Sequence, residues 1–166
     1  VQTCALPIFL RWTGCRPSEA CGLQRSHLDL EHDPPLLVLV AHKTRDRIGA
    51  DRVLPLNHRA VEVVHEAIAD TTNPDVPLFL STRGDAYTSN GLYQSIRAAC
   101  RSLGQPPWTP YQLRHLVATE AIAATGSEAA TAAMLGHTPS STVVRRYSTD
   151  RLRLATLASR SLAGET

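Results

Sequence analysis

Two short runs limit what this chain can fold into. Leu36 to Ala41 is continuously apolar and of strand length, and Arg52 to Leu56 is a second strand. The polar stretch His42 to Asp51, containing Gly49, joins them as a hairpin-like excursion. The other elements read as helices, with Asp33-Pro34-Pro35 and Gln105-Pro106-Pro107 as turns. Phe9 to Thr13 is the end of an apolar helix stopped at Gly14. Pro17 suits the first turn of a helix running to about Gln24. Ala60 to Asp70 places Val61, Val64 and Ile68 on one face. Ser89 caps a helix that turns Leu92, Ile96 and Leu103 inward. Thr109-Pro110 opens a helix that carries Arg114 and ends near Gly126, and Ser127 starts another that ends at Gly136. Ser141 to Tyr147 and Asp150 to Leu162 complete the order. The expected fold is mainly α with a small antiparallel β-sheet, an α+β domain.

The length of 166 residues and the 43% apolar fraction suit one compact domain. A net charge of +2 is too small to establish a nucleic-acid partner. The basic residues are arginine except Lys43. Guanidinium holds phosphate in a bidentate fork, as ammonium does not, although a GC-rich genome produces the same bias. The 4 cysteines (Cys4, Cys15, Cys21 and Cys100) show no C-x-x-C spacing, so free thiols are expected and a zinc site is not. The run His27-Leu28-Asp29-Leu30-Glu31-His32 lacks a further ligand set at helical spacing, which leaves it a poor metal site. No secretion signal and no apolar run of membrane length is visible, and a cytoplasmic location is the default. Residues 1–8 lack a polar helical face and look non-native or truncated, which sets the expected domain at 9–166.

The chemistry lies in four ordered segments. Thr13-Gly14-Cys15-Arg16-Pro17-Ser18-Glu19 comes first, then Tyr111-Gln112-Leu113-Arg114-His115, then Leu135-Gly136-His137, then Arg145-Arg146-Tyr147. Metal-free cleavage of a phosphodiester needs cationic hydrogen-bond donors on the non-bridging oxygens, an in-line nucleophile, and proton transfer from the one and to the leaving oxygen. Arg16 and Arg114 can supply the donors. Tyr147 can be the nucleophile if neighbouring charge or a base offsets a phenol pKa near 10. Seen alone, each residue has an ordinary reading: a solvated helix-end arginine, a capping histidine, a half-buried tyrosine.

Taken together, the segments resemble the catalytic signature of the tyrosine recombinases, the phage integrase family, across about Phe9 to Leu162. The resemblance implies phosphate binding by Arg16 and Arg114, with His137 beside them and Glu19 supporting the geometry. It implies Lys43, in His42-Lys43-Thr44-Arg45 after the first strand, as general acid for the leaving 5′ oxygen. Attack by Tyr147 would leave a covalent 3′-phosphotyrosine, and the conserved bond energy would let rejoining proceed without ATP; the resemblance also implies no metal and no cofactor. Tyr111 departs from the pattern, because the family usually has histidine there. A tyrosine donates a hydrogen bond but is a poor base near neutrality, so phosphate binding could survive while proton transfer would weaken or move to His137 or His115. His115 is expected to buttress the helix.

The implied partner is double-stranded DNA, in recombination or integration by a mobile element. The family's N-terminal DNA-clamping domain is not in this sequence. Two other readings stay open: a DNA-binding prophage or transposon remnant that no longer cleaves, and DNA relaxation like that of a type IB topoisomerase. Leu152, Leu154, Leu157 and Leu162 stripe the last helix. Such a stripe ordinarily belongs to the chain's own core. In recombinases the corresponding segment docks on a neighbouring protomer, so self-association on DNA through this helix is expected.

Overall fold

The computed structural model of the chain describes residues 5–39, 51–68, 73–136 and 148–164, with backbone alone for 148–153. Helix α1 spans Ala5–Thr13 and buries Leu6, Phe9, Leu10 and Thr13, the three- and four-residue spacing of one helical face. It begins upstream of the expected Phe9. Pro7 stands in the first turn, where its missing N–H breaks no helical hydrogen bond. Leu6 is fully buried, so residues 5–8 are part of this core helix. Helix α2, Pro17–Cys21, is shorter than expected. The chain turns at Gly22 because Leu23 and Gln24 pair instead with Pro77 and Leu78, where the Leu78 amide donates to the Leu23 carbonyl at 2.8 Å.

Strands β1 (Leu28–Asp29), β2 (Leu36–Leu39) and β3 (Arg52–Pro55) form an antiparallel sheet in the order β1-β2-β3, with Leu37 opposite Leu54. At two residues, β1 is too short to leave a pattern in sequence. The histidines around it serve local turns. His27 Nδ1 accepts from the Gln24 amide at 3.1 Å, and His32 Nδ1 donates to the Pro34 carbonyl at 2.7 Å.

Helix α3, His58–Ile68, buries Ala60, Val63, Val64 and Ala67. Helix α4, Ser89–Ser102, is capped by Thr88 rather than Ser89, the Thr88 hydroxyl accepting from the Gly91 amide at 3.0 Å. Leu92, Ile96 and Cys100 form its inner face. Leu103 was expected inside but is 71% exposed, because the helix stops before reaching it and Cys100 takes the inward position. Helix α5 is Pro110–Thr125 and α6 is Glu128–Leu135, each closed by a left-handed glycine, Gly126 and Gly136. Helix α7 is Ser148–Leu162.

Two clusters make up the core. The larger joins α1, the sheet, α3 and α4 through residues such as Phe9, Leu37, Leu54, Val64 and Ile96. The smaller joins α5, α6 and α7 through Val117, Ala121, Ala130, Met134, Leu135, Ala155 and Ala158. Alanines let these three helices approach closely. Helix α7 therefore packs in cis, with Ala155, Ala158 and Ser159 buried and Leu157 exposed. The expected leucine stripe is only part of its contact face. A buried Asn57 fastens the helix: its amide donates to the Trp12 and Ser159 carbonyls, both at 3.0 Å, while its oxygen caps α3 at the Ala60 amide. No described helix is long and apolar enough to cross a membrane.

Candidate active site

The site forms where the two clusters meet. Arg16 occupies the link between α1 and α2 in an extended conformation (φ −67°, ψ 141°) and is the N-cap of α2. Glu19, one turn in, folds back. Its carboxylate accepts from the Arg16 amide at 2.8 Å and from Arg16 Nη1 at 2.6 Å. A capping box thus also anchors the guanidinium, while the Arg16 side chain keeps 17% of its surface exposed.

Glu19 Oε2, the oxygen that takes the Arg16 amide, also accepts from Arg52 Nη1 at 2.5 Å. Arg52 opens β3 and shares the strand's inner face with Leu54, while Val53 between them points outward and is 38% exposed. The Arg52 and Glu19 side chains are only 6% and 5% exposed. Arg52 Nη2 reaches the Met134 carbonyl at 3.4 Å, near the end of α6. Its Nε is buried and has no hydrogen-bond partner among the described residues. Gly136, with φ +67°, passes directly over it: a Cβ there would overlap Nε and lie 2.7 Å from Cδ and Cζ.

Arg114, buried on α5, closes the arrangement. Nη1 donates to the Gly14 carbonyl, 100 residues away in sequence, at 2.5 Å, and Nη2 donates to the Leu135 carbonyl at 2.7 Å. The second acceptor is an unsatisfied carbonyl at the negative end of α6. A continuous path therefore runs from Gly14 through Arg16, Glu19 and Arg52 to Met134 and Leu135, and back through Arg114 to Gly14.

This concentration of guanidinium groups alters ionisation. Burial would raise the Glu19 carboxyl. The Arg52 charge and hydrogen bonds from the Arg16 backbone and both side chains outweigh it and hold the pKa below the ordinary 4.5. Arg114 is pushed down to about 10, first by desolvation and then by repulsion from Arg52 and Arg16, and stays charged at neutral pH. Burial raises the thiol of Cys15, beside Arg16, despite the positive charge around it. Cys15, Cys21 and Cys100 are free thiols.

The structure thus brings Arg16, Glu19 and Arg114 together. Tyr111 lies one turn before Arg114 and is 53% exposed. His115 follows Arg114 directly but faces outward, so its imidazole does not buttress the helix from within. Its carbonyl accepts from the Thr119 hydroxyl. Lys43, His137 and Tyr147 lie outside the described residues. The sequence reading missed Arg52. Its signal was an arginine in phase with the buried Leu54 and Leu56 on an apolar strand, a position that demands a buried acid.

Two arginines and a carboxylate converging at a helix-to-helix link, beside a small sheet in a largely helical domain, define a tyrosine recombinase-like catalytic fold. Residues 2–152 match the sequence profile described as the phage integrase family, and the chain belongs to that family. It is 28% identical over 118 residues to y4rD of Sinorhizobium fredii (strain NBRC 101917 / NGR234), described as an integrase/recombinase, covering 65% of this chain and 40% of that protein. The integrase of mycobacterium phage Brujita superposes with a TM-score of 0.66 at 20% identity, over 99% of this chain and 57% of that one. The Tn1549 transposon integrase in complex with a circular intermediate DNA gives 0.64 at 21%, over 89% and 58%. XerA recombinase gives 0.59 at 23%, over 90% and 56%. At these identities the structures establish the fold. The chain spans about 40% of the length of its curated relative.

Proposed function

We propose that the chain from α1 onward is the catalytic domain of a tyrosine recombinase, which cleaves and rejoins DNA strands through Tyr147. The observation that carries this reading is the convergence of Arg16 and Arg114, far apart in the sequence, on one path through Glu19. Both are held by bonds that would fix their direction before substrate arrives. Their remaining donors would meet the charge that builds on the scissile phosphate, where preorganised donors act most strongly. Tyr147 would attack in line to give a 3′-phosphotyrosine and a free 5′ hydroxyl. Lys43 would protonate the leaving oxygen, and His137 with the Tyr111 hydroxyl would complete the phosphate contacts. Neither metal nor ATP enters these steps. The resemblance assigns the DNA clamp to a further N-terminal domain. Self-association on DNA would use what α7 leaves uncovered in cis, Leu157 first, or require α7 to leave its seat.

The test is a pool of nicked duplexes tiled from the DNA on either side of the chain's own gene, incubated with wild type and with Tyr147→Phe. Wild type should form a covalent protein–DNA adduct. Tyr147→Phe should shift the same duplexes and form none. A shift without an adduct from wild type means a non-cleaving binder. Relaxation of any supercoiled plasmid, without strand exchange, means a topoisomerase-like enzyme.

A further inference from the structure

Among the described residues, Arg52 is a buried cation with one carboxylate partner, one carbonyl contact near the end of α6, and a glycine pressed against its Nε. We propose that Arg52 is a positioning residue for strand cleavage, fixing Glu19, and through it Arg16, relative to the Gly136 turn that leads into His137. This inference rests on the recombinase reading above.

Three observations support it independently. First, the phase of β3 forces the side chain inward, so it cannot serve as a surface charge that meets DNA. Second, its fork bridges elements far apart in sequence, α2 through Glu19 and α6 through Met134; a lysine could hold one of these but not both. Third, Gly136 has a left-handed backbone and no room for a Cβ, because Arg52 fills that space. Arg52 therefore limits how the chain can leave α6, and His137 is the next residue.

The experiment uses the same nicked duplexes and follows adduct rate and DNA affinity together. Arg52→Met keeps the length and removes charge and fork. Arg52→Lys keeps the charge and removes the fork. Arg52→Met should slow adduct formation at least tenfold while Kd for the duplex stays within about twofold, since a buried group makes no DNA contact. It should also add an acidic limb to the rate profile. Glu19 is faced by Arg16 from the α1–α2 link, by Arg52 from β3, by Arg114 from α5 and by Cys15. Without Arg52 its carboxyl rises and protonates as pH falls, releasing Arg16. Arg52→Lys should slow the reaction less and keep the wild-type profile, and it serves if Arg52→Met does not fold. A purely structural role would lower the melting temperature but leave the rate per folded molecule and its pH profile alone. That result, or full wild-type rate in Arg52→Lys, overturns the inference by itself. No adduct from wild type overturns the recombinase reading, and this inference with it.

Discussion

Gly126 and Gly136 close successive helices with nearly the same backbone, φ +63° and +67°, yet replacing them with alanine should have unequal effects. Around Gly126 nothing lies within 4 Å of the new Cβ. Gly126→Ala should therefore cost only the left-handed conformation, about 1–2 kcal/mol. Gly136→Ala carries the same cost and also drives its methyl into Arg52. Arg52 is pinned at its far end, so it can yield only by loosening its bonds to Glu19 and Met134. A charge-assisted hydrogen bond of this kind is worth about 1.5–3 kcal/mol. The extra loss should be about 2–3 kcal/mol, and at about 2–4 °C per kcal/mol for a chain of this size it separates the two melting temperatures by about 4–12 °C. Combining Gly136→Ala with Arg52→Met should recover that increment, because the shorter uncharged side chain vacates the space. A double-mutant cycle then reads the coupling directly. Equal melting temperatures for the two alanine variants, or additivity in the cycle, would refute the packing of Arg52 against Gly136.

Arg16→Ala and Arg114→Ala should each remove about 3–4 kcal/mol of transition-state stabilisation, measured as adduct rate. Only Arg114→Ala should also lower the melting temperature by several degrees, because it frees the buried Gly14 and Leu135 carbonyls. Tyr111→His should match or exceed wild-type adduct rate, and Tyr111→Phe should lower it modestly; loss of activity in a folded Tyr111→His would give the hydroxyl a specific role. Deleting residues after 147 should abolish cooperative melting, since it uncovers Val117, Ala121 and Met134 and strips Asn57 of the Ser159 acceptor. A cooperative transition in that truncation would show that α7 is dispensable to the core. The folded pKa of Glu19 lies below its ordinary value, so its contribution to stability is complete above about pH 4.5 and is lost as pH falls through the lowered value. Acid titration of melting temperature should show a smaller drop in Glu19→Gln than in wild type.

Much of the fold could be read because its boundaries are local events. Gly14, Thr109-Pro110, Gly126, Ser127 and Gly136 stop or start helices through their own backbone chemistry, and the structure places those ends where the residues indicate. The errors came from competition at a distance. Helix α2 ends early because Leu23 and Gln24 find partners at Pro77 and Leu78, and no local pattern announces that pairing. The inward position of Leu103 depended on the helix continuing through it, and the helix ends one residue earlier, at Ser102. In the site, Arg16, Glu19 and Arg114 were legible because their segments resemble a known signature. Arg52 lies outside those segments, and only the phase of its strand marks it. The role of α7 stayed ambiguous because an apolar stripe does not reveal which surface it covers. The structure gives α7 a cis seat built from alanines and a serine more than from leucines.

The division of the core into two clusters orders events during synthesis. Residues from Leu6 to Cys100 complete the first cluster and can collapse as soon as α4 has left the ribosome. The second cluster needs Ala155 and Ala158, made after every other described element. Arg114 bonds to both halves, to Gly14 in the early one and Leu135 in the late one. The arrangement of guanidinium groups is therefore finished late, after α5 and α6 have been made. Until α5 and α6 settle against that first cluster, a nascent chain holds Arg16 and Arg52 without the partner that closes the path.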